Sequence, residues 1–158
     1  MGALLVVDII VTYPAWPRHG LKRADWLRFR AEGGMTREVI SHFLFFTERI
    51  LGPLSLITAH TTYPDNPSLC ETAVVARLES ETGQAVSILA TIGGAQPDRQ
   101  EFTVKGTKSS RRITDFHKDA TSDGGNFIAL REQPKDPRAI SLKAQLDDLS
   151  LHLAAKPN

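Results

Sequence analysis

The sequence predicts an α+β fold: a largely antiparallel open sheet with helices packed on one face, the other face left available for oligomerisation. Three observations carry this. A β-branched run from Ala3 to Thr12 opens the chain and is closed by Pro14 and Pro17. A long amphipathic stretch, Gly33 to Pro53, follows, with a glycine entrance and a Gly52-Pro53 stop. Beyond it, segments of alternating polarity separated by short turn signals read as successive strands.

The bulk numbers exclude several function classes. At 158 residues the chain is one domain, long enough to bury a core. With 19 basic and 18 acidic residues the net charge is +1, so neither nucleic acid nor an anionic membrane is an expected partner. No apolar run approaches the roughly 20 residues of a membrane span. The apolar opening lacks a basic start and is interrupted by Asp8, which marks a strand rather than a leader. Cys70 is the only cysteine; no intrachain disulfide can form, which suits a reducing compartment, and a cytoplasmic location is expected.

In chain order, the first strand leads into a loop carrying Tyr13, Trp16, Arg18 and His19. Polar-tipped aromatics of this kind line sugar sites, and they equally serve as loop aromatics tucked against a core. Leu21 to Arg30 holds a short helix or an irregular segment, with Trp26 and Phe29 turned to the core. In the central helix, residues about 100° apart place Val39, Ile40, Phe43, Leu44, Phe46, Ile50 and Leu51 on one apolar arc with Thr47 among them. Leu54 to Thr62 reads as a strand ended by Tyr63-Pro64-Asp65-Asn66-Pro67. Thr72 to Leu78 alternates with Val74, Ala76 and Leu78 on one face; Ala85 to Ile92 alternates with Val86, Ile88, Ala90 and Ile92. Glu101 to Lys105, with Phe102 and Val104 inward, and Arg111 to Phe116 complete an antiparallel meander. His117 to Pro137 reads as a polar surface excursion. Its Asp115, His117, Lys118 and Asp119 surroundings lack a second histidine at ligand spacing and a thiolate, so no metal is expected. Ala139 to Ala154 is a final amphipathic helix with Leu142, Leu146, Leu149 and Leu153 at helical spacing.

The central helix carries the best chemical lead. Glu38 and His42 lie one turn apart on the face opposite the apolar arc, where an acid and an imidazole can touch. Such a pair is either a solvated ion pair or a catalytic dyad in which the carboxylate orients the ring and the ring moves a proton. The entrance glycines Gly33 and Gly34 either expose backbone N–H groups to an oxygen-rich ligand or make a tight turn. There is no Gly-x-Gly-x-x-Gly, phosphate-binding Gly-Lys-Ser/Thr loop or Gly-x-Ser-x-Gly elbow.

Gly33-Gly34-x-x-x-Glu38-x-x-x-His42 with Gly52 at the helix end, Phe102-Thr-Val-Lys-Gly106-Thr-Lys108, and Leu146-Asp-Asp-Leu-x-x-His-Leu-Ala-Ala-Lys156-Pro157 together resemble the C-terminal domain of the Gfo/Idh/MocA oxidoreductases. The resemblance covers nearly the whole chain. It implies a single domain, residues 1–158, that is the C-terminal substrate-binding and oligomerisation part of a longer enzyme whose N-terminal Rossmann domain binds NAD or NADP. It implies His42 as the active-site acid/base, with Glu38 where the family usually has aspartate, one methylene longer. A polyhydroxy substrate, a sugar, cyclitol or related compound, is implied, with Trp16, Arg18, Arg30, Gly33 and Gly34 as substrate contacts. Association as a homodimer or tetramer through the open sheet face, and no activity for the isolated chain, follow from the same resemblance. Met35 stands in place of a third glycine.

Overall fold

Strand β1, Leu4–Tyr13, is the axis of the fold. Its Val7, Ile9, Val11 and Tyr13 are fully buried while the residues between them stay partly accessible, the period of two that a pleated strand imposes. In the computed structural model, which describes residues 1–18, 20, 23–132 and 135–154, seven further strands build one sheet around it. They are β2 (Leu54–Thr62), β3 (Ala73–Ser80), β4 (Ala85–Ile92), β5 (Arg99–Gly106), β6 (Ser110–Thr114), β7 (Lys118–Ser122) and β8 (Ile128–Ala129). The order is β2-β3-β4-β1-β5-β6-β7-β8, with linear ends and therefore two open edges.

The meander read from the sequence is divided in two. β4 and β5 do not pair; β1 lies between them, parallel to β4 and antiparallel to β5, and every other pairing is antiparallel. The residues expected inward are inward: Val74 and Ala76 on β3, Val86, Ile88 and Ala90 on β4, and Phe102 and Val104 on β5. The stretch read as a surface excursion contains β7 and β8. β7 is short and polar and β8 is only Ile128-Ala129, so neither carries an apolar alternation, and their pairing is decided by the hairpin that precedes them.

The helix over the core has two geometries. A π-helical turn, Thr36–Ile40, runs into α1, Ser41–Leu51, which ends at Gly52 with φ 78°. Val39, Ile40, Phe43 and Thr47 face the sheet, and Thr47 Oγ1 satisfies itself by donating to the Phe43 carbonyl at 2.7 Å. Phe46 and Ile50, expected on the same apolar arc, are 42% and 43% exposed. They overhang β5 and β6, where no helix covers the sheet. Trp26, expected in the core, is also exposed; Leu27 in the 3₁₀ turn Asp25–Arg28 takes the buried place.

The second helix, α2 (Pro137–Ala154), departs from the expectation that both helices pack on the sheet. From Arg138 to Leu153 every residue is exposed. Locally it is well formed: Asp136 Oδ1 accepts from the amides of Arg138 and Ala139 at 3.1 and 3.0 Å, and Pro137 starts the first turn.

Candidate functional site

The glycine entrance is built from three segments meeting at one carbonyl. Leu27 O accepts from the Trp16 indole at 2.9 Å and from the Gly34 amide at 2.8 Å, while the Gly33 amide donates to Phe29 O at 2.8 Å. A Cβ on Gly33 would collide with the Leu27 backbone, so the backbone approach itself demands glycine. Gly34 has φ +109°, and a Cβ there would stand 2.8 Å from Glu71 Oε2. The buried Glu71 carboxylate fills the helix entrance and accepts from the Thr36 amide at 2.6 Å. The amides expected to await an oxygen-rich ligand are thus engaged within the chain. Glu71 was not foreseen: it lies 35 residues from Thr36, and no local pattern marks it.

Trp16 packs on the Tyr13 ring, centroids 5.4 Å apart, and Arg18 stands over the same ring at 5.3 Å. Burial raises the Tyr13 pKa, against the opposing charge of Arg18, so the phenol keeps its proton at neutral pH. Arg30 lies elsewhere, over the Tyr63 ring at 4.0 Å, with its amide donating to Ser68 O. His19 is outside the described residues, as are Lys156 and Pro157. Cys70 is buried, and burial together with the neighbouring Glu71 charge raises its pKa, which leaves a chemically quiet thiol.

His42 is exposed and Glu38 half-buried, and among the described residues neither a hydrogen bond nor an ion pair joins them. Glu38 lies in the π turn Thr36–Ile40 and His42 in the first turn of α1 beyond it. His42 rims a hollow of about 190 Å³ with Phe43, Phe46, Phe102, Ile113 and Phe116. Phe43 stacks between Phe102 and Phe116, at 6.0 and 5.2 Å with near-parallel planes. Phe116 is held there by a turn in which Asp115 and Phe116 both take positive φ, 52° and 65°, a conformation that costs a bulky residue. Trp16, Arg18, Arg30, Gly33 and Gly34 do not line this hollow. The candidate residues fall into three places: His42 with its aromatic hollow, the Leu27-centred entrance, and Arg30 on Tyr63.

No protein-family profile matches the chain, and no curated protein matches it in sequence. The fold is shared with solved dehydrogenases and a ketoreductase, of which the chain spans a little under half the length. A 3-ketoreductase from Actinomadura kijaniata, solved with TDP-benzene and NADP, superposes with a TM-score of 0.68 at 11% identity over 100% of this chain and 47% of its own. The WlbA dehydrogenase from Bordetella pertussis, in complex with NADH and UDP-GlcNAcA, gives 0.64 at 18% identity over 99% and 47%. The UDP-N-acetylglucosamine 3-dehydrogenase from Acidithiobacillus ferrooxidans gives 0.66 at 12% identity over 96% and 46%. At such identities the likeness is one of fold.

Proposed function

We propose that the chain is the C-terminal, substrate-binding part of an NAD(P)-dependent oxidoreductase acting on a sugar, cyclitol or related polyhydroxy compound. The observation that carries the reading is an exposed histidine at the rim of a hollow, on a fold shared end to end with half of several dehydrogenases. The nicotinamide cofactor, which accepts or donates the hydride, does not fit this chain: no glycine-rich phosphate loop follows a strand, and the entrance amides are engaged. It is assigned to an N-terminal Rossmann domain.

This chain's share is the proton. His42 accepts the hydroxyl proton in oxidation and returns it in reduction, work an imidazole does near neutral pH. Glu38, within one turn, orients the ring once a side-chain rotation brings the two together. Trp16 and Arg18 supply an aromatic wall and a cation beside the helix entrance; Gly33 and Gly34 shape that entrance, and Arg30 contributes from the Tyr63 side. A second reading, a non-catalytic dimerisation or small-molecule-binding module, is favoured by the missing Glu38–His42 contact and the uncovered sheet face.

The test uses the protein joined to its Rossmann domain, with NAD(P)H absorbance followed across a panel of polyols and sugar nucleotides. Turnover by the joined protein, none by the 158-residue chain alone, and a His42→Ala loss of about 10²-fold in kcat agree with the enzyme reading. Unchanged turnover in His42→Ala removes the histidine from the mechanism and leaves the module.

A further inference from the structure

Among the described residues, two apolar surfaces stand without a partner. One is a groove of about 350 Å³ between α1 and the sheet, lined by Leu4, Phe46, Ile50, Phe102, Val104 and Ile113, with the Arg111–Asp119 ion pair at its rim. The other is the stripe Leu142, Leu146, Leu149 and Leu153 of α2, each leucine 53–64% exposed. Their spacing of four, three and four residues keeps all four on one narrow line of the helix, the pattern of a packing seam rather than of a solvated face. Apolar stripes of this extent are seldom left in water.

We infer that α2 docks by its leucine stripe into the groove of its own chain, completing the helical layer over β5 and β6. The tether decides for the same chain. Leu130 is fastened to β7 by its amide on the Asp119 carbonyl, and the Asp119 side chain walls the groove, so the chain leaves the sheet at the groove's edge. The six residues 131–136 reach about 20 Å extended. From β8 back to β5 is three strand spacings, about 14 Å. A segment held this close meets its groove at an effective concentration of the millimolar order, which a second molecule matches only in concentrated solution. The inference is independent of the enzymatic reading.

The test is methyl NMR on the 158-residue chain. Docking predicts NOEs from the Leu146 and Leu149 methyls to Phe46, Ile50 and Ile113, unchanged on dilution. In a mixture of isotope-labelled and unlabelled protein, isotope-filtered NOEs appearing between molecules would replace the same-chain arrangement by an exchange between two copies; absence of stripe-to-groove NOEs would show α2 undocked. Either outcome overturns the inference. The double variant Leu146→Asp/Leu149→Asp supplies a second readout, with the Phe43–Phe102 NOE as the check that the sheet still folds. If α2 covers the groove, the variant uncovers it and fluorescence of an added anilinonaphthalene dye rises severalfold. If the stripe is free, removing it leaves that fluorescence unchanged or lower, which also overturns the proposal.

Discussion

At the scale of single residues, the helix entrance is governed by Gly34 and Glu71. Gly34 holds φ +109° and leaves the room that the Glu71 carboxylate occupies on its way to the Thr36 amide. Gly34→Ala is expected to cost about 1–3 kcal/mol, because alanine pays for the positive φ and also meets the carboxylate. Glu71→Ala leaves the Thr36 amide unpaired beside a helix start and should cost about 1–2 kcal/mol. Urea unfolding of the two single variants and the double checks both. The double variant should lose less than the sum, since the alanine Cβ no longer meets the carboxylate. The glycine pair was legible in the sequence as a helix entrance. Its filling was not, because Glu71 reaches it only once β2 and β3 bring residue 71 back across the fold.

At the scale of elements, one contact between neighbours holds the hollow beside His42 and another ties the hairpin next to it. Phe43 of α1 is buried between the rings of Phe102 on β5 and Phe116 in the β6–β7 turn. Truncating it to alanine should destabilise the chain by about 3–5 kcal/mol, measured by thermal or urea unfolding. Between β6 and β7, Arg111 grips Asp119 by two hydrogen bonds of 2.9 and 2.5 Å. Those bonds lower the Asp119 pKa below its ordinary 3.8, with the charges of Arg111 and Arg131 acting the same way against a smaller burial effect. A carboxylate whose folded pKa is depressed contributes stability that is complete above its unfolded value and lost as the pH falls through the folded one. Stability should therefore decline through this pair below about pH 3.8, and Asp119→Asn should flatten that part of the curve followed by circular dichroism. The sequence marks a strand where side chains alternate, in β3, β4 and β5. It does not mark β7, which is polar, or β8, whose two residues are too few to show a period that distinguishes a strand from a loop.

At the scale of the whole molecule, the sheet has a covered face and an uncovered one. On the latter, Ile10, Val75 and Leu89 align across neighbouring strands, with Asp8, Arg77, Glu101 and Lys105 around them. An apolar centre with a mixed-charge rim is suited to a second copy of the same face, because Arg77 and Lys105 can meet Asp8 and Glu101 across a two-fold axis. If the chain associates through it, Val75→Glu/Leu89→Glu should weaken association at least tenfold, roughly 1.4 kcal/mol, by sedimentation velocity over a concentration series. Association unaffected by the double variant would place any interface elsewhere.

The amino-acid order by itself determined the fold class, the strands that alternate, the helix with its Gly52 stop, and the presence of an acid and a histidine four residues apart. Each follows from local periodicity or backbone preference, which act between residues close in sequence. Only the tertiary structure decided that β1 would divide the meander, that the helix would open with a π turn, that Glu71 would fill the glycine entrance, and that Trp16 and Arg18 would lie away from the His42 hollow. Those outcomes depend on contacts between residues distant in the chain, where geometry and burial, rather than spacing, settle which groups meet.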